Sequence, residues 1–192
     1  VNDELNTSFP LFKMLKHWNG GGTFWNEITP DHKAFQIPVM PNHDFFALPL
    51  ISNAPPYSKY RDTPRNGDNI GLVVHNKKTD KKLFYLPGLG VLENHVLEAM
   101  KDADVILIEG TLWTNDEMIK GNFSSKLGTD MGHMPLNGQG GLIEILDTLE
   151  KPRKILIHIN NTNPILDEEN DEYHELISHG IEISYDGMSI EI

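Results

Sequence analysis

Apolar positions along this chain switch between a helical and a strand-like period. Leu11, Phe12, Leu15 and Trp18 recur at helical spacing over residues 9–18, and Pro10 stands near the start, where a helix tolerates it. Gly20, Gly21 and Gly22 end that segment. Residues 24–28, 34–37 and 44–51 read as short strands. Residues 52–69 are rich in Pro, Asn and Gly and carry no period; so long a loop inside a compact domain is usually functional. Two strands, 70–75 and 82–86, then flank a turn at 76–81, and an amphipathic helix follows over 92–101. Residues 105–108 form a continuous apolar run, which suits a fully buried strand. The pattern next predicts a short helix over 115–119 with Thr114 as its cap, a helix over 140–149, a strand over 155–158, and a helix over 168–178 closed by Gly180. Residues 181–184 and 188–192 read as a terminal hairpin over Tyr185, Asp186 and Gly187.

Strands first, then helices alternating with strands, predict an α/β fold: a mixed sheet with helices on its outer faces. In such sheets chemistry collects where the strands end. Three ends place polar groups directly after apolar runs and could converge on one site: Ile51-Ser52-Asn53, Ile108-Glu109-Gly110-Thr111 and Ile157-His158-Ile159-Asn160.

His158 closes the last of these runs, and Asn160, Asn161 and Asn163 crowd the turn behind it. An imidazole there can ligate a metal or move a proton, and the amides can orient it or read a polar ligand; the plainer alternative is a histidine that caps the loop. Glu109 follows four apolar residues and precedes a glycine. A carboxylate buried in that position needs a cation, a metal or donated hydrogen bonds, and capping the Gly110 and Thr111 amides would serve as well. His133 lies in Asp130-Met131-Gly132-His133-Met134-Pro135, where the glycine lets the backbone approach another surface closely; its alternative is an exposed bystander. Together His133, His158 and Glu109 offer two imidazoles and one carboxylate, which matches the ligand chemistry of non-haem iron and equally of zinc. Their spacing contains no local metal motif.

Composition narrows the partners. The 192 residues carry 28 acidic against 16 basic side chains, a net charge of −12, which argues against nucleic acid. No apolar run approaches the ~20 residues of a membrane-spanning helix, so no membrane partner is expected. With no cysteine, disulfides and thiolate ligands are excluded, and any metal held by this chain takes N and O ligands. Residues 1–7 show no signal-peptide pattern, so a cytoplasmic location is expected; the chain begins at Val1, and its natural start is expected further upstream.

Segments spread over the whole chain closely resemble the pyrroloquinoline quinone (PQQ) biosynthesis protein B family. They are Phe9-Pro10-Leu11-Phe12, His17-Trp18-Asn19-Gly20-Gly21, Ser52-Asn53-Ala54-Pro55-Pro56-Tyr57-Ser58, Tyr60-Arg61-Asp62, Tyr85-Leu86-Pro87-Gly88-Leu89-Gly90, Glu109-Gly110-Thr111-Leu112-Trp113, Met131-Gly132-His133, residues 158–167, and Tyr185-Asp186-Gly187-Met188. The resemblance implies a metallo-β-lactamase-like αββα sandwich with a metal site at one edge of its two sheets. Family members begin with a cysteine-rich zinc motif and an Asp-His-Thr-Thr-Gly strand end. Neither occurs here, so residues 1–192 are expected to form an incomplete single domain, about the C-terminal two-thirds of a member, with the N-terminal part absent. Hydrolytic relatives such as ribonuclease Z and the phosphonate-pathway phosphodiesterase place a metal-ligand histidine where this chain has Asn53 and a bridging aspartate near Gly88. His158 matches the fold's final metal-ligand histidine. His133 matches a loop histidine that acts at the scissile phosphate in ribonuclease Z. Position 109 is Asp in many members and Glu here.

The implied role is PQQ synthesis. The leading expectation is an iron-dependent oxygenase, using Fe(II) and O2 with zinc as the alternative metal, that hydroxylates the tyrosine ring of the cross-linked Glu-Tyr precursor. His158 and Glu109 are the expected metal ligands, and His133 and Glu109 the catalytic pair. Asn53, Tyr57, Arg61, Asn160, Asn161 and Asn163 are expected to hold the substrate. A metal-dependent hydrolase is one alternative, and a carrier of PQQ or its precursor, using Arg61, Arg65 and Arg153, is another. The expected partners are the precursor, other pathway proteins and a second copy in a homodimer.

Overall fold

The structure is a computed structural model that describes residues 28–54, 58, 60–61, 63, 65 and 67–192. The helix expected over 9–18, its glycine stop, nearly all of the strand expected over 24–28, and Tyr57 lie outside the described residues.

Seven strands form one mixed sheet whose spatial order repeats the chain order: β1 (Ala34–Phe35), β2 (His43–Leu50), β3 (Asn69–Asn76), β4 (Lys81–Leu86), β5 (Val105–Glu109), β6 (Arg153–Ile157) and β7 (Ile181–Ile183). The first four pair antiparallel, and β4 to β7 pair parallel. The expected α/β layering is therefore present, and of the two sheets of a sandwich the described residues build this one. The parallel half follows from the sequence: the apolar runs of β5 and β6 are separated by helical segments long enough for crossovers.

One face of the sheet carries the helices. Phe84, Leu86, Ile106, Ile108 and Leu156 alternate along β4, β5 and β6 and share a core cluster with Val96 and Met100 of α1 (Asn94–Asp102). Val96 and Met100 are four residues apart, so they stack on one helical face. Leu142, Ile143 and Leu146 of α4 (Leu142–Asp147) and Leu176 of α5 (Asp171–Ser178) complete the cluster. Two one-turn helices, α2 (Glu117–Lys120) and α3 (Gly128–Met131), lie in the long β5–β6 connection. Asp104 clips the strand starts together: its carboxylate accepts from the Lys82 N–H at 2.9 Å and the Lys81 Nζ at 3.0 Å, and its carbonyl accepts from the Arg153 N–H at 2.9 Å.

Three expectations need correction. The helix expected over 115–119 begins two residues later, at Glu117, and Thr114 does not cap it through its side chain; the Thr114 hydroxyl donates to the Asp116 carboxylate instead. The helix expected over 168–178 starts at Asp171, because a 3-10 turn at Pro164–Leu166, with Asn163 capping it, occupies the approach. The terminal hairpin does not form. Ile181–Ile183 pairs parallel with β6, and Met188 N–H closes only a turn onto the Tyr185 carbonyl at 3.0 Å. Met188, Ile190 and Ile192 do alternate half-buried with exposed neighbours, so the period-two pattern marks a face without a ladder partner.

Candidate functional site

The site grows from the shared end of the parallel strands. Register sets Glu109 beside Ile157, so the last residue of β5 lies next to His158, the first residue past β6. Backbone pairing continues irregularly beyond the strands: Gly110 N–H donates to the Ile157 carbonyl at 2.7 Å, and Asn160 N–H to the Thr111 carbonyl at 3.1 Å. Thr111 is thereby drawn against His158. His158 turns out of the strand with a φ of +53°, a left-handed conformation that a non-glycine residue adopts at a cost of about 1–3 kcal/mol. At an exposed strand end this strain aims a ring into the site.

Glu109 is completely buried, and four donors surround its carboxylate. Oε1 accepts the Leu89 N–H at 2.5 Å and the Met134 N–H at 3.4 Å; Oε2 accepts the Thr111 hydroxyl at 2.8 Å and faces His133 Nδ1 in a close contact. Donated hydrogen bonds thus offset the burial of this carboxylate. The two imidazole rings lie 5.4 Å apart between centroids, tilted by 32°. Thr111 Oγ1 is 3.2 Å from His133 Nδ1 and 3.0 Å from His158 Nδ1. Ligand atoms of Glu109, His133 and His158 all lie within 4.8 Å of one another. Two imidazoles backed by a carboxylate suit iron or zinc in donor chemistry.

The loop that carries His133 is held from outside. Asn53 Nδ2 donates to the Asp130 carbonyl at 2.9 Å, Arg61 donates to the Met131 carbonyl at 3.1 Å, and the Ser52 hydroxyl donates to the Gly132 carbonyl at 3.3 Å. Three side chains of one segment therefore engage three consecutive carbonyls just ahead of His133. Gly132 is required here. Its φ is +91°, and a Cβ on it would meet Ser52 Oγ at 2.8 Å.

The residues expected to hold substrate divide accordingly. Asn53 and Arg61 reach the site through the His133 loop, and the second Arg61 hydrogen bond goes to the Ala54 carbonyl at 2.5 Å. Asn160 is half-buried and donates to the Thr162 hydroxyl at 2.7 Å; Asn161 is exposed beside it. Asn163 is 2% exposed, donates to the Gly110 carbonyl at 2.8 Å and accepts from the Ile165 N–H at 3.2 Å. Both ends of its amide are thus engaged in shaping the turn behind His158. Sequence reasoning assigned no role to Thr111 or to Glu117. The Glu117 carboxylate accepts the Trp113 N–H at 2.6 Å and the Thr162 hydroxyl, joining the loops that follow β5 and β6. The strand-end placement of Thr111 was the one available signal for it; Glu117 offered none, since an acid in a short helix ordinarily faces solvent.

Residues 1–159 match the family model described as the β-lactamase superfamily domain. Over all 192 residues the chain is 53% identical to coenzyme PQQ synthesis protein B of Pseudomonas protegens and 51% identical to that of Pseudomonas savastanoi pv. phaseolicola, and it spans 63% of each of those proteins. Among solved structures, zinc-bound PqqB of Methylobacterium extorquens superposes with a TM-score of 0.76 at 26% identity, covering 84% of this chain and 54% of that one. A diphosphatase of the PhnP family, with a TM-score of 0.52 and 15% identity over 84% of this chain and 47% of its own, shares the fold alone. Among the described residues no helix is long and apolar enough to cross a membrane.

Proposed function

The chain belongs to the β-lactamase superfamily, and from that membership and its likeness to coenzyme PQQ synthesis protein B over its whole length we propose that it works in PQQ synthesis as a metal-dependent oxygenase. Its substrate on this reading is the cross-linked Glu-Tyr precursor, and the reaction adds hydroxyl groups to the tyrosine ring. The observation that carries the reading is the placement of His133 and His158 5.4 Å apart over the buried Glu109. His158 and His133 are the residues that would hold the metal, with Glu109 behind them. Iron, when bound, would supply the activation of O2. This chain's own residues orient the imidazoles, through Glu109 and Thr111, and fix the His133 loop, through Ser52, Asn53 and Arg61. Asn160 and Asn161 stand at the rim, where amides can meet a polar substrate.

The arginines weigh against a carrier. A tricarboxylate carrier needs convergent Arg or Lys side chains. Arg61 is spent on the Ala54 and Met131 carbonyls, Arg65 pairs with Asp68, and Arg153 pairs with Glu182. Zinc is the second metal reading, favoured by the zinc-bound relative from Methylobacterium extorquens.

The test is aerobic incubation of the iron-loaded and zinc-loaded protein with the precursor, following O2 uptake and product mass. Iron-dependent uptake with gain of oxygen atoms supports the proposal. Unchanged precursor and no uptake with either metal would overturn it.

A further inference from the structure

Building on the metal-site reading above, we propose that the Thr111 hydroxyl is a positioning group that, together with the Glu109 carboxylate, fixes both imidazoles with the proton on Nδ1, leaving Nε2 of His133 and of His158 bare for a metal.

The argument is a count of protons. A carboxylate offers about four lone-pair sites. Glu109 Oε1 faces two backbone donors, Leu89 N–H and Met134 N–H. Oε2 faces the Thr111 hydroxyl and His133 Nδ1. A hydroxyl has a single proton, and a bond to an ionised acceptor is roughly twice as strong as one between neutral groups. Glu109 is completely buried and ionised acceptors bind more strongly, so the Thr111 proton goes to Glu109. Toward the rings Thr111 Oγ1 then presents only lone pairs, at 3.0 Å from His158 Nδ1 and 3.2 Å from His133 Nδ1. Lone pair against lone pair is repulsive, so both Nδ1 atoms carry hydrogen. A neutral imidazole has one N–H and one bare nitrogen, and the bare nitrogen is Nε2 in each ring.

Two consequences follow for the carboxylate. Thr111 Oγ1 is within 3.2 Å of Glu109 Oε2 and of both Nδ1 atoms, so it fills the point where those three atoms converge. An ion cannot take all three from that point. Glu109, with its lone pairs engaged, acts on His133 as an orienting partner; the sequence had suggested a ligand. Metal-binding histidines commonly donate their second N–H to a carboxylate or another oxygen, which fixes the ring and raises its basicity.

The test is NMR of protein labelled with 15N at histidine, stripped of metal and held at mildly alkaline pH. Wild type is expected to show protonated Nδ1 and bare Nε2 for His133 and His158. Thr111→Val should cost His158 its Nδ1–H form, leave His133 locked by Glu109, and weaken zinc binding by about ten- to a hundredfold. Thr111→Ser should restore the wild-type pattern. A His158 protonated on Nε2 in wild type, or an unchanged spectrum in Thr111→Val, would overturn the proposal. Should the valine variant misfold by circular dichroism, the wild-type tautomers and the serine variant still decide. Nδ1–H tautomers in a protein that binds neither zinc nor iron would sink the metal reading while leaving the tautomer assignment standing.

Discussion

The Arg61 guanidinium donates to the carbonyl of Met131, 3.1 Å away and two residues ahead of His133. With its second bond to Ala54 it ties the segment after β2 to the loop that carries a site histidine. Hydrogen bonds from a charged donor contribute about 1.5–3 kcal/mol. Arg61→Ala is expected to lower stability by about 1–3 kcal/mol and to lower kcat with little change in KM, since His133 loses its footing and the substrate loses no contact. Arg61→Lys should recover little, because an ammonium cannot reproduce the planar fork. Thermal melts with steady-state kinetics check this. A lower melting temperature with intact kcat and metal affinity would limit the strap to a role in folding.

Glu109→Ala removes the acceptor of four donors at once. Buried donors left unpaired cost about 1–3 kcal/mol each, so a large destabilisation is expected together with loss of bound metal. Glu109→Asp should be milder in stability but should slacken His133, because the carboxylate retreats by about one bond length. Metal content and melting temperature of both variants are the measurements.

His158 separates conformational strain from ligation. His158→Ala and His158→Gly should both abolish bound metal and turnover. At a φ of +53° alanine retains the left-handed penalty and glycine does not. The glycine variant is therefore expected to be more stable than the alanine variant by about 1 kcal/mol. Denaturant titration of the pair reads this difference directly, and equal midpoints would remove the strain argument.

Acid should loosen the edge of the sheet. Two hydrogen bonds from Arg153, at 2.6 and 2.7 Å, hold the Glu182 carboxyl below its ordinary value of 4.5 and outweigh the opposing effect of burial. A carboxylate depressed by folding stabilises the native state above its unfolded value, and that contribution is lost as pH falls from about 4.5 through the lower folded value. Both side chains are well exposed, so the effect is small and weakened by salt. Hydrogen exchange of the β7 amides at low salt should rise below that pH in wild type, and Glu182→Gln should show the loosened behaviour already at neutral pH.

The apolar periods located every strand of this sheet to within two residues, because each strand buries a continuous or alternating face that a linear pattern records. They misread Met188 to Ile192 because a half-buried face implies burial and says nothing about which backbone pairs with it. The site was legible where it sits on strand ends, at Glu109 and His158. Arg61, Asn53 and Asn163 were singled out as polar residues in loops, yet these side chains engage backbone carbonyls of residues 53 to 77 positions away. No local pattern encodes such a partner. Thr111 was legible only as part of its strand end, for a related reason: its role lies in standing between three groups that only tertiary structure assembles.

The unbroken match between spatial and chain order in the sheet has a bearing on how the molecule comes into being. Each strand after β1, as it leaves the ribosome, finds the strand it pairs with already made, so the sheet can lengthen from one side. The cluster at the strand ends obeys a different clock. Glu109 and Thr111 emerge early, His133 later, and His158 last, after the whole β5–β6 connection. The Glu109 carboxylate has its full set of partners only once Met134 has emerged, and the Thr111 hydroxyl only once His158 has. Birth of the fold is gradual along the polypeptide, whereas the chemistry of its edge is complete only with the last of these residues.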